Sequence, residues 1–181
     1  MKAIALTCGR CGGNLLVSPG VAFGVCNPCS AGWILSTEGK RGIPVEEPIL
    51  EGEAAAEVIR LPFVRFDAAG GGAEARIYVM AFGLARIGSP HDDGSKLTVG
   101  GFEGEMRPGR LDRPVDLPIQ TAAGLARFLG LRRLDPDGEA RLRPAAIRLS
   151  APAIVAIPFR VKGGSLVDPI TGIVLERSLA G

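Results

Sequence analysis

Cys8-Gly9-Arg10-Cys11 and Cys26-Asn27-Pro28-Cys29 contain every cysteine of this 181-residue chain. Two cysteines at i and i+3 sit on one tight turn with both sulfurs on the same side. A second such turn supplies the other two corners of a tetrahedron, and zinc is the metal that most often fills a four-thiolate site. Small residues follow each hook, Gly12-Gly13 and Ser30-Ala31-Gly32. They let backbone N–H groups approach the sulfurs, and glycine tolerates positive φ. Cys8, Cys11, Cys26 and Cys29 are therefore the candidate metal ligands.

The residues between and after the hooks read as strands. Asn14–Val17 and Val21–Val25 flank a Ser18-Pro19-Gly20 turn, and Gly32–Ser36 is a third strand. On these residues, over about positions 6–38, the segment resembles the zinc-ribbon family. The resemblance implies that Cys8, Cys11, Cys26 and Cys29 bind Zn2+. A weaker likeness to rubredoxins implies iron on the same four cysteines. Rubredoxins favour Pro directly after the first Cys of the second hook and Gly after its second, where this chain has Asn27 and Ser30. Two disulfides are the remaining alternative. They belong to oxidising compartments, and Met1–Thr7 is too short for the apolar core of an export signal. The expected location is cytoplasmic.

A metal in a segment this small decides whether it folds, because zinc binding to such modules is worth on the order of 10–16 kcal/mol at neutral pH. Four protein ligands close the site and leave no position for substrate. Electron transfer aside, catalysis at this metal is not expected.

Residues 43–57 read as a linker between the ribbon (1–42) and a second domain (58–181). Pro44, Pro48 and the paired Glu46-Glu47 disfavour packing there, and a short helix fits Glu51–Glu57. Ile59–Phe66 and Ala75–Phe82 read as a hairpin around a flexible 67–72 turn. Ser89–Gly94 is a loop, and Lys96–Met106 a further strand. The one good helix runs from Pro118 to Leu131. Its apolar positions are Leu117, Ala122, Leu125, Phe128 and Leu129, Asp116 or Thr121 caps it, and Gly130 ends it. Strands return at Ala153–Lys162, Ser165–Val167 and Ile173–Leu175, with turns at Gly163-Gly164 and Asp168–Gly172. The expected fold class is α+β, mostly β: an N-terminal zinc ribbon followed by a β-rich antiparallel domain with one main helix. This second part resembles uncharacterised bacterial proteins with a ribbon ahead of a Pro-Phe-containing β domain, a likeness that brings no activity with it.

Ile59-Arg60-Leu61-Pro62-Phe63 echoes Val155-Ala156-Ile157-Pro158-Phe159. Proline in a strand marks an edge or a bulge. The echo reads either as a duplicated half-domain with two edge strands or as chance between strands of common composition.

No other motif defines a site. His91 is the lone histidine, in a Ser/Pro/Asp/Gly loop, and no G-x-S-x-G elbow accompanies it. Gly70-Gly71-Gly72 lacks the Gly-Lys-Ser/Thr of a phosphate loop. Net charge is only +2, but residues 107–148 carry nine arginines against five acids. Arg127, Arg132, Arg133, Arg141, Arg143 and Arg148 form either a patch for an acidic or nucleic-acid partner or a solvated face. Phe128 is the only aromatic near them, which gives base stacking little support. No apolar run is long enough to span a bilayer. The sequence thus points to a non-enzymatic zinc-binding adaptor or accessory subunit with a protein partner or a second copy of itself. A nucleic-acid-binding ribbon and an iron electron-transfer protein are the alternatives.

Overall fold

Residues 6–17, 21–36, 39–50, 57–82, 102, 104–138 and 141–176 are described by a computed structural model of the chain. They form two sheets and one long helix, an α+β and mostly β architecture as expected. The first sheet is built from β1 (Leu15–Leu16), β2 (Phe23–Cys26), β3 (Gly32–Ser36) and β4 (Gly39–Ile43), antiparallel and in chain order. The expected third strand is β3. The Ser18-Pro19-Gly20 turn, the Glu51–Glu57 helix apart from Glu57, His91 with its loop, and most of the Lys96–Met106 strand lie outside the described residues.

The larger sheet is built around two long strands, β6 (Val58–Gly70) and β10 (Ala153–Lys162). They pair antiparallel with Ile59 opposite Phe159, Leu61 opposite Ile157 and Phe63 opposite Val155. The two echoing segments are therefore each other's partners, related by a local two-fold axis through the Leu61–Ile157 pair. β7 (Ala73–Met80) flanks β6, and β11 (Ser165–Val167) flanks β10, each through a two-residue glycine turn. At the first turn Gly71 and Gly72 have φ of 62° and 85°, values that cost a side-chain-bearing residue strain. β12 (Val174–Glu176) continues outward from β11. Residues 67–70, expected as part of a flexible turn, are strand: β7 pairs them on one side, and the short β9 (Arg148–Leu149) pairs Ala68 and Ala69 on the other.

The edge reading of the two prolines is overturned, because β6 and β10 are the central strands. Val161 N–H donates to the Glu57 carbonyl and Ala81 N–H to the Pro62 carbonyl. Along the β6–β10 ladder the odd-numbered residues thus face each other with their backbone polar groups. Pro62 and Pro158 are even-numbered and direct their missing N–H away from that ladder. Pro62 points past the end of β7. Pro158 points into the gap between β11, which pairs residues 160–162, and β5 (Val45–Pro48), which pairs residues 154 and 155. A proline there removes no ladder hydrogen bond.

β5 is a correction to the linker reading of 43–48. It runs parallel to β10 on one side and antiparallel to β8 (Met106–Pro108) on the other. The paired glutamates that argued against packing are neutralised by arginines. Glu47 is buried, with Arg60 Nε at 3.0 Å and Arg107 Nη2 at 2.9 Å, and Glu46 accepts from Arg65 at 2.5 Å. A buried carboxylate is tolerated when so paired.

Both faces of the larger sheet are covered, so its strands alternate between two apolar environments rather than between core and water. Leu61, Phe63, Tyr78, Met80, Val155, Ile157 and Phe159 point to one side, together with Phe82, Leu166, Ile173 and Leu175. There Phe63, Phe82 and Phe159 pack as a ring triad with centroids 5.7, 6.2 and 6.4 Å apart. Val64, Phe66, Ile77, Val79, Ile154 and Ala156 point to the other side.

Helix α1 (Ile119–Leu134) covers part of that second face. Ala122, Ala126, Gly130 and Leu134, every fourth residue, form its buried ridge, with Leu129 buried beside them. A Cβ on Gly130 would sit 3.2 Å from Ile147 Cδ1, so its smallness permits close packing, and the helix runs through it. No side chain caps the start: Asp116 instead donates its backbone N–H to the Ala81 carbonyl. Phe128, read as part of the buried stripe, is 61% exposed. Leu117, Ala122 and Leu129 of that stripe are buried and Leu125 packs against the core, while Ala126 and Gly130, which carry little hydrophobic signal, complete the contact face.

The same second face also carries the first sheet. Val21, Phe23, Val25 and Ile43 belong to one continuous core with the strands of the larger sheet and α1. The ribbon-like module is thus docked by its back face on the main core.

Truncating Phe159 to Ala should cost about 3–5 kcal/mol, because it opens a cavity within the aromatic triad. Phe128→Ala should change stability by less than about 0.5 kcal/mol. Urea titration of both variants checks the contrast, and a large loss at Phe128 would contradict the observed helix orientation.

Candidate metal centre

The two cysteine hooks are built alike. Cys8 N–H donates to the Gly13 carbonyl, and Cys26 N–H to the Ala31 carbonyl. Gly12 N–H donates back to the Cys8 carbonyl at 3.0 Å, and Ser30 N–H to the Cys26 carbonyl at 2.8 Å. The residue after each second cysteine is left-handed, Gly12 at φ 76° and Ser30 at φ 56°. The turn geometry therefore follows from the backbone, and the second hook accepts it with serine at some strain.

Sheet registry brings the hooks together. Leu15 pairs with Cys26, which sets the strand after the first hook beside the start of the second. Cys8 and Cys26 are buried, Cys29 is half-buried and Cys11 is exposed. Leu15, Val17, Trp33 and Leu35 pack around them on the face opposite the main core. The Trp33 ring lies over Gly9, where an added Cβ would approach it to 2.8 Å. Lys40 closes this side, with Nζ 5.9 Å from the Trp33 ring centroid and 2.5 Å from the Thr7 carbonyl.

All four sulfurs lie within 4.8 Å of one another. Contacts run between the hooks, Cys11 to Cys26 at 3.4 Å and Cys8 to Cys29 at 3.6 Å. A disulfide needs about 2.05 Å, so these are four free thiols. A tetrahedron with metal–sulfur bonds of about 2.3 Å has edges of about 3.8 Å. The cluster has that size. A tetrahedral set of four sulfurs suits zinc or iron. It is also the only group of three or more metal-ligating side chains found close enough together among the described residues.

The electrostatics differ between sulfurs. Burial disfavours a thiolate at Cys8, but the N–H groups of Arg10 and Cys11, aided by the Cys29 and Cys26 side chains, outweigh it and bring Cys8 down to about 6. Arg10 N lies 3.3 Å from that sulfur. Burial pushes Cys26 up to about 12; the Cys29 N–H opposes the rise, and the Cys11, Cys29 and Cys8 side chains add to it. The Ala31 N–H favours a thiolate at Cys29, yet burial and the Cys11 and Cys8 sulfurs hold it above the ordinary thiol value. Cys8 therefore ionises more readily than an ordinary thiol, and Cys26 and Cys29 less readily.

Sequence reasoning located all four cysteines and missed two features that surround them. One is the docking of the module's back face, signalled only by the alternation Val21, Phe23, Val25. The other is the fourth strand, β4, where Lys40 and Arg41 obscure the pattern. Comparison with known protein families, with curated proteins and with solved structures finds no match to this chain.

Metal loading at pH 7 should expel protons from at least Cys26 and Cys29, and affinity should fall as pH falls, since protons and metal compete for the same sulfurs. Isothermal titration in two buffers of different ionisation enthalpy measures this directly. Release of clearly fewer than about two protons per chain would contradict the assigned protonation states.

Proposed function

We propose that this chain is a zinc-binding accessory or adaptor protein without catalytic activity at the metal, and that it acts through contacts with a protein partner. The observation that carries the reading is the four-cysteine cluster of tetrahedral size, held on a sheet whose other face belongs to the main core. Four thiolates complete the coordination of zinc, so the ion would staple the fold and take no substrate. Cys8, Cys11, Cys26 and Cys29 would be its ligands.

A contact surface lies beside the cluster. A groove of about 680 Å³ runs from the second hook to the β5–β8 pair, with Trp33, Ile43, Pro44, Val45, Met106 and Pro108 among its walls. Such a concave, largely apolar site next to a metal-stiffened turn suits a protein segment.

Two measurements test the reading. Elemental analysis of protein purified without added metal should give about one zinc per chain in a colourless solution; a coloured preparation with one iron would establish the electron-transfer alternative instead. Purification from native extract should recover a stoichiometric protein partner, and Met106→Arg should abolish that recovery while zinc content stays the same. A chain that remains monomeric and partnerless would contradict the adaptor role.

A further inference from the structure

Five arginines of 127–148 follow one another from the last turn of α1 to β9. Arg132 and Arg133 occupy the last turn of α1, and the following segment folds back against that end. Leu142 N–H donates to Asp135 Oδ2 at 2.9 Å, and Ile147 packs on Gly130. β9 then fixes Arg148 beside the β6–β7 hairpin.

Arg132, Arg133, Arg141, Arg143 and Arg148 are exposed, and Arg127 is half-buried. None of the six takes part in an ion pair within the described structure, whereas Arg60, Arg65, Arg76 and Arg107 on the sheets all do. Next to Arg148, the hairpin turn Gly70–Gly72, Glu74 and Ala146 border a cleft of about 330 Å³.

Phe128 changes the meaning of this charge. It is 61% exposed and lies one turn before Arg132 on the same ridge of α1. Buried, it would have been core. Exposed beside guanidinium groups that form no ion pair among the described residues, it offers a flat apolar ring next to cations. It is the only large hydrophobic residue of α1 or of the described part of 135–149 that is exposed to this extent. A protein partner needs a dry apolar centre of several residues; a nucleic-acid strand needs spaced cations and a stacking platform.

We propose that this end of the molecule, Phe128 with Arg132, Arg133, Arg141, Arg143 and Arg148, binds single-stranded nucleic acid, the arginines on phosphates and Phe128 stacked on a base. The proposal goes beyond the adaptor reading and does not depend on the metal.

Fluorescence anisotropy with labelled 20-nucleotide oligo-dT and oligo-rU, on the full chain, tests it. Binding is expected at about 50 mM salt and should weaken steeply as salt rises. Three to five phosphate contacts give a log–log slope of about −2 to −3.5. Arg132→Gln combined with Arg133→Gln and Arg143→Gln should reduce affinity at least about tenfold and flatten the slope. Phe128→Ala should weaken binding about fivefold or more while the slope is kept. Arg41→Gln, on the ribbon-like sheet, should change neither. All these side chains are exposed, and unchanged melting would show that the variants fold. No binding at 50 mM salt, an equal loss from Arg41→Gln, or binding to a poly-glutamate peptide but to neither oligonucleotide would overturn the proposal.

Discussion

A small sheet with two apolar faces must bury both at once, and the rest of this structure follows from how it does so. One face, Leu15, Val17, Trp33 and Leu35, closes over the cysteines. The other, Val21, Phe23, Val25 and Ile43, closes over the main sheet. Strand alternation makes the two inseparable: Cys26 and Val25 are neighbours in β2 and point opposite ways. A set of four thiols alone would hold only the hooks. The main sheet alone would hold only the back face. Pro44 carries β4 directly into β5, so the chain passes from one sheet to the other with no slack, and Pro44 itself accepts a hydrogen bond from Ile154.

The larger sheet meets a comparable demand by symmetry. Its two central strands present odd-numbered apolar residues to the aromatic triad, and β6 and β7 carry the alternating residues toward α1 and the ribbon-like sheet. Because Pro62 and Pro158 occupy equivalent places about the local two-fold, neither disturbs the central ladder. The one deeply buried carboxylate among the ion pairs, Glu47, lies where β5, β6 and β8 converge. It is held from two sides by Arg60 and Arg107, and breaking such a pair from one side is costly.

Much of this was legible in the sequence, and the failures share a cause. The hooks were legible because metal chemistry demands a fixed spacing. The β10–β11–β12 run was legible because Gly163-Gly164 and Asp168–Gly172 are strong turn signals; the Asp168 carboxylate does accept from Ile170 N–H and from the Thr171 hydroxyl. What misled was any residue whose partner is remote. Glu46 and Glu47 read as solvated until Arg65, Arg60 and Arg107 are beside them. Pro62 reads as an edge until the direction of its missing N–H is known. Phe128 reads as core, and Ala126 as filler, until the sheet shows which ridge of α1 can approach it. Of the site, the four ligand candidates were legible. Their coupling to the main core was not, since it depends on which neighbour covers Val21, Phe23 and Val25.

Trp33 reports on that coupling directly, being the only tryptophan and lying in the cysteine module. Treating the purified protein with a metal chelator while following Trp33 fluorescence and the far-ultraviolet dichroism of the whole chain during thermal unfolding compares the two parts. With a shared core, both signals move together to a lower melting temperature. A Trp33 transition that shifts alone, with the main β signal melting where it did before, would contradict a shared core.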